Sequence, residues 1–500
     1  MKKQAAERQC ALTYANERPA SSGPSSQVAA AALSYTRDMR LAVMSIPSFR
    51  IGAVVLLLFV LVALASPTVG TLPVFAALLL AGCGALATWW VLERPVAMLI
   101  GAYALLAPAD ALLIIGGGGA TLTRFVSFLA IFGLSVALIA DRAPRALPRV
   151  AVAWFVVLVW MIASVLWATN QSMAIQKVEQ IGLAVLVFEL VALVRSTRID
   201  LRVIIAANVV TSAIIAAYAI VVHPVEARLG ADRVVLKTAT GRADPNDLAA
   251  GLILAFALCI AAATSNERGW WRIAGAALSV LLFVAILATG SRGGLMAALL
   301  VVLWIAIRAR RRIVAGLFVL GAAAISVMQG DVWARFVGDD TGAGRSDIWK
   351  VGVAAFREHW FAGSGIGTFP DVYNSVYLSV PHHFYINWSR PAHDLLVQSF
   401  TELGIVGGIL VLTAFWFQFR QLSSIGRKDP DLWLRVGLEA ATLGYFVAAL
   451  FIDVLDIKQT WMIPILTVLV ANIRSQEGAG RLAPAPTPAP APAPAPALSG

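Results

Sequence analysis

Charge is scarce in this chain. Charged side chains make up 13% of its 500 residues against 59% hydrophobic ones, and the mean hydropathy is +0.79. Soluble globular and disordered proteins both carry far more charge, so neither class is open. Cysteine is nearly missing. Cys10, Cys83 and Cys259 lie far apart with no CxxC pair, which excludes a disulfide scaffold, and no collagen-like repeat is present. Histidine occurs five times, and the adjacent His382 and His383, with Asp371 as the nearest upstream carboxylate, match no common metal-ligand spacing. No metal site and no cofactor is expected. The net charge of +11 would suit nucleic acid only on a folded soluble module with a basic face, and the sequence offers no such module.

What the chain has in abundance is long apolar runs. An apolar stretch of about 20 residues crosses a bilayer as a helix, and such runs recur from about Ile51 to Asn472 with short polar breaks. The expected fold is an all-α polytopic membrane protein with about fourteen transmembrane helices. They start near residues 51, 72, 96, 122, 150, 179, 203, 247, 272, 293, 313, 394, 437 and 459. Every second connection is basic: Arg94, then Arg142, Arg145 and Arg149, then Arg195, Arg198 and Arg202, and so on to Arg427, Lys428 and Arg435. The positive-inside rule therefore puts both termini in the cytoplasm. The expected layout is a disordered tail over 1–48, spans 1–7 over 49–222, an external loop over 223–246 and spans 8–11 over 247–328. A larger external loop follows over 329–393, between spans 11 and 12, then spans 12–14 over 394–474 and an Ala/Pro-rich tail over 475–500.

The two external loops are where function is sought. They carry Arg233, Lys237, Arg242, Arg345, Lys350, Arg357 and Arg390, and one short external turn adds Arg292 in Thr289-Gly290-Ser291-Arg292-Gly293-Gly294. A tight turn has no need of an arginine, so Arg292 either reaches lipid headgroups or meets an anion. His393 stands where the larger loop enters the next span, with Val397, Gly404 and Gly408 spaced to share its helical face, Gly404 and Gly408 forming a small-xxx-small surface. Upstream, Arg345-Ser346-Asp347-Ile348-Trp349 leads into an amphipathic stretch and then a glycine run, Gly363-Ser364-Gly365-Ile366-Gly367. Asp244-Pro245-Asn246 reads as a turn that starts a span.

Together these segments resemble the O-antigen ligase and O-antigen polymerase superfamily. The resemblance rests on His393-Asp394, nine residues and then Gly404-x-x-Gly407, on Ser291-Arg292-Gly293 after a span, on Arg345-x-x-x-Trp349 with the glycine run, and on Arg242 with Pro245-Asn246. It covers roughly residues 225–410. Where the family usually has Asn, Ser or Gln after the histidine, this chain has Asp394, a carboxylate able to raise the His393 pKa or orient its ring. The resemblance implies a metal-independent glycosyltransferase at the periplasmic face of the bacterial inner membrane. Its donor would be an undecaprenyl-diphosphate-linked glycan, and its acceptor lipid A core or a second carrier-linked glycan. It implies His393 as general base, Arg292, Arg345, Arg242 and, more weakly, Arg233 on the diphosphate, and Asp394, Gly404 and Gly407 in support. Histidine titrates near working pH, and arginine binds phosphate oxygens through a planar fork that keeps its charge.

A ligase and a polymerase need the same donor site and base, so these residues do not separate them. Fourteen spans lean toward a polymerase, whereas the single dominant loop carrying Arg345 and His393 leans toward a ligase, the preferred reading. The rival from another class is a transporter or flippase, which would place ionisable groups or broken helices near the membrane midplane; the spans contain few charges, Glu189, Glu402 and Glu439 lie nearer span ends than centres, and no obvious repeat relates the halves.

Overall fold

The computed structural model describes residues 94–115, 120–141, 147–222, 225–228, 231–234, 237–238, 241–242, 244–265, 269–309, 345–381, 390–422, 425–426 and 431–482. All belong to the compact unit running from Trp90 to Gly500. The predicted spans near 51, 72 and 313, the N-terminal tail and the Ala-Pro repeat lie outside the described residues.

The described chain is helical, with short β-hairpins in two connections. It begins with a broken element in which α1 (Gly101–Leu106) lies between a π turn at Val96–Ile100 and a 3-10 turn at Ala107–Leu112, with Pro95 ahead of the first and a proline in the first turn of the second. A hairpin of β1 (Ile114–Ile115) and β2 (Ala120–Thr121) leads to α2 (Leu122–Asp141). Pro148 precedes α3 (Arg149–Ser164). Asn170 caps α4 (Gln171–Leu193) by accepting the Met173 amide, and Thr197 with Asp200 forms a capping box at the start of α5 (Arg198–Val221). The first predicted loop is two hairpins, β3 (Val225–Arg228) with β4 (Ala231–Val234) and β5 (Lys237–Thr238) with β6 (Gly241–Arg242). Then come α6 (Pro245–Thr264), α7 (Trp270–Ala288), α8 (Arg292–Ala309), α9 (Arg345–Glu358), α10 (Phe369–Val376), α11 (Leu395–Gln421), α12 (Leu432–Ala449) and α13 (Lys458–Leu482).

Seven helical stretches among the described residues are long and apolar enough to cross a membrane: α2, α3 with its 3-10 extension, α5, α6, α7, α11 and α12. The expected spans near 96, 179, 293 and 459 carry α1, α4, α8 and α13, which are not among the seven, so the described residues do not reach a count of fourteen. The helix expected to end at 474 continues to Leu482, and Glu477 on that extension takes a bidentate pair from Arg198 at 2.6 and 2.9 Å.

Helix α6 is the buried axis, packed by α7, α8 and α12. Small residues let these helices approach closely: a Cβ on Gly444 of α12 would lie 2.6 Å from Val301 Cγ2 of α8. By contrast α2 turns outward, with Phe132 73% and Ile139 78% exposed, a face that suits acyl chains. One charged cluster joins α8 and α12. Glu439, fully buried, accepts from Arg308 Nε at 3.1 Å, Arg435 Nε at 2.6 Å and Trp304 Nε1 at 3.3 Å.

The feature that most shapes the site is a break in α11. Gly404 has φ +69 and ψ −171, and the helix resumes beyond it. A break frees carbonyls and amides that must find partners, and here they do. Ser364 N donates to Thr401 O at 3.0 Å, Gly365 N to Glu402 O at 2.8 Å and Trp160 Nε1 to Leu403 O at 3.0 Å, while Ile405 N donates to Trp360 O at 2.8 Å. The expected continuous face from His393 through Gly404 to Gly408 is therefore not formed. Helix α11 starts at Leu395, after His393, and Gly404 is where its backbone turns aside to accept the glycine run.

Candidate active site

The predicted histidine sits at a strained position. His393 has φ +49, the one positive value for a non-glycine residue among the described residues, and is half-buried. Asp394 follows as the N-cap of α11, its Oδ1 accepting from Leu396 N at 2.7 Å and Val397 N at 2.9 Å. Its carboxylate is thus engaged by the helix end. The His393 pKa is lowered, by burial first and by Arg345 and Arg390, with Asp244 opposing. Asp244, the N-cap of α6, is the carboxylate that acts on the imidazole, and its Oδ1 accepts from Asn246 N at 2.7 Å. A lowered pKa keeps the ring neutral near neutral pH, the form a general base needs.

Arg345 acts on the imidazole, and Arg292 acts on Arg345. Arg292 is the first residue of α8 and Arg345 the first of α9, so both cations stand at helix N-termini, where the backbone dipole favours anions. They repel each other: the Arg345 pKa is lowered by burial and then by Arg292, against Asp244, Asp394 and Asp453. The Arg345 guanidinium lies 5.8 Å from the Phe451 ring centre, and a Cβ on Gly293 would lie 2.8 Å from that same ring. Phe451, in the connection between α12 and α13, is thus the floor on which both arginine-bearing helix ends rest. Like charges at two helix N-termini reinforce each other's positive potential.

Arg233 is placed differently. It is 8% exposed, donates through Nε to Thr289 O at 2.9 Å and through Nη2 to Asn246 Oδ1 at 3.0 Å, and packs on Gly290. It fastens the β4 strand to the turn that carries Arg292. Arg242 lies in β6 opposite Lys237, and its side chain is outside the described residues. Gly404 and Gly407 lie inside the bundle, Gly404 at the break and Gly407 against Trp160. His382 and His383 are outside the described residues. Among the described residues no three His, Cys, Asp or Glu side chains are grouped to hold a metal ion.

Sequence reasoning missed the residues that support this site. Phe451 and Asp453 lie in the short 450–457 connection, where burial pushes the Asp453 carboxyl up to about 7. Glu402 and Lys177 lie deeper. The available signal was the pair Asp453 and Asp456 in a short break between two apolar runs, far from every arginine in sequence.

A family model described as O-antigen ligase matches residues 277–412. That stretch contains Arg292, Arg345, His393, Asp394, Gly404 and Gly407, and leaves out Arg233 and Arg242. A search of curated proteins finds no match. Among solved structures, a chain from a study of how a peptidoglycan synthase complex coordinates polymerization and crosslinking aligns with a TM-score of 0.38 and 15% identity, over 69% of this chain and 97% of that one. The match over residues 277–412 supports membership of the chain in the O-antigen ligase superfamily.

Proposed function

We propose that the protein is an O-antigen ligase-like transferase that moves an oligo- or polysaccharide from undecaprenyl diphosphate to an acceptor hydroxyl at the periplasmic membrane face. The observation that carries this is the place of Arg345, which stands at a helix N-terminus within electrostatic range of both the Arg292 cation and the His393 imidazole. In this reading His393 takes the proton of the acceptor hydroxyl, the oxygen attacks the anomeric carbon, and the bond from that carbon to the diphosphate breaks. Arg292 and Arg345 stabilise the negative charge that builds on the leaving diphosphate. Base catalysis of this kind contributes about 10²–10⁴-fold. Arg242 is the third diphosphate contact in this reading, supported by its loop, while Arg233 acts through the turn it fastens. The alternation of basic connections supports fourteen spans, cytoplasmic termini and a site facing the periplasm.

The test is transfer by purified protein in detergent, with lipid A core and a second carrier-linked repeat offered as competing acceptors. Product on lipid A core supports a ligase. A lengthened carrier-linked ladder makes the protein a polymerase of the same superfamily.

One observation favours a second reading, movement of a carrier lipid. Helix α11 is broken beside the buried Glu402, the feature expected of transporters and absent from the sequence. Backbone bonds close that break on both sides, which suits a fixed support better than a moving gate. Lipid movement in liposomes without transfer to either acceptor would reverse the preference.

A further inference from the structure

Beneath the arginine and histidine groups lies an ionic hub that the proposed reaction does not use. Lys177, near the start of α4, pairs through Nζ with Asp456 Oδ2 at 2.7 Å, in the connection that also carries Phe451 and Asp453. Its charge also acts on Asp453 and on Glu402. Glu402 is 1% exposed, accepts from Phe369 N at 3.1 Å, and has a second oxygen without a hydrogen-bond partner. The stem of Lys177 is in use as well: a Cβ on Gly367 would lie 2.7 Å from Lys177 Cβ, so the glycine run rides directly on this side chain. The turn before α4 grips the same run, through Thr169 N to Ser364 O at 3.0 Å and Asn170 Nδ2 to Asp371 Oδ2 at 2.6 Å.

Three carboxyl groups from two elements, the buried Glu402, Asp453 and the partly exposed Asp456, thus act on one ammonium. Without it they repel one another, and an uncompensated buried charge costs far more than a surface one. The connection they hold is short, so a shift at Asp453 or Asp456 moves Phe451, and Phe451 supports Arg345 and the start of α8.

We propose that Lys177 is a positioning residue of this site: through Asp456 and the Gly367 backbone it fixes the 450–457 connection and the glycine run, and so holds Phe451 beneath Arg345. The proposal rests on the reading of Arg345 as a diphosphate ligand, and its test separates the two. Binding of a short-chain polyprenyl diphosphate and hydrogen exchange are measured on the full chain in detergent. Lys177→Met is expected to weaken binding about tenfold and to raise deuterium uptake in 360–369 and 450–457. Lys177→Arg keeps the cation and restores both readouts. Lys177→Met combined with Asp456→Asn removes the unpaired charge and recovers most of the loss, which a mere packing defect would not do. Unchanged uptake in both segments of Lys177→Met overturns the proposal, and so does a binding loss that the double substitution leaves in full. If the unsubstituted chain binds no polyprenyl diphosphate, the reading of Arg345 fails by itself, and the exchange data still decide the role of Lys177.

Discussion

The Ile405 amide donates to the Trp360 carbonyl at 2.8 Å, a bond made possible by the break of α11 at Gly404. Around it two backbones touch: a Cβ on Gly404 would lie 2.2 Å from Phe361 O, and one on Gly363 would lie 2.3 Å from Glu402 C. Both glycines have positive φ. Gly404→Ala and Gly363→Ala each meet a conformational cost of roughly 1–3 kcal/mol and a backbone clash besides. Thermal unfolding in detergent is expected to fall by several degrees for either variant, with transfer lost, and Gly426→Ala, which meets no atom within 4 Å, serves as the neutral control.

His393 sets the pH response. Its pKa is lowered from the usual imidazole value by burial and by the charges of Arg345 and Arg390. The neutral ring is the base, so kcat/KM should rise with pH through an apparent pKa below about 6.5 and be flat at neutral pH. Arg390→Gln removes one of the like charges and should move that pKa upward. His393→Ala should leave membrane insertion intact and abolish transfer, and retained transfer would remove the proposed base.

Arg345 and Arg233 should separate cleanly. Arg345→Gln is expected to raise the donor KM, with a smaller stability loss than Arg233→Gln because the Arg292 cation opposes the attraction of Asp244, Asp394 and Asp453 for the Arg345 guanidinium. Arg233→Gln breaks two buried hydrogen bonds and should cost about 1–3 kcal/mol of stability, read as a lower unfolding temperature. A pure KM effect for Arg233→Gln would place it on the donor instead.

Glu439 tests the rest of the bundle. Glu439→Ala leaves Arg308 and Arg435 without their shared carboxylate and should destabilise by about 3–5 kcal/mol, with the donor KM of the surviving folded protein unchanged. Differential scanning fluorimetry and initial rates read the two effects separately.

The helical class was legible because long apolar runs are a local property, and the placing of Arg292 at a helix start follows from its position after a span. Asp244-Pro245-Asn246 read as a helix start, and Asp244 caps α6. The break at Gly404 was not legible: a glycine in an apolar helix has the same pattern whether it packs against a neighbour or turns the chain. Asp394 was read as a partner of His393, but the helix end takes its carboxylate first, which is an orientation no spacing reveals. Arg233 was read as a weaker anion contact than Arg292, and its burial and two hydrogen bonds, to Thr289 and Asn246, are what spacing did not show. Lys177 and Asp456 were missed because their relation exists only in space.

That distance along the chain has a consequence for biogenesis. Lys177 and Asp456 are 279 residues apart. At a synthesis rate of about 5–20 residues per second, the lysine waits roughly 15–55 s for its carboxylate. For that interval the Lys177 ammonium lacks its Asp456 partner, and the glycine run that covers its stem is made only in the later part of it. The ion pair that ties α4 to the 450–457 connection therefore forms only when the chain is almost complete.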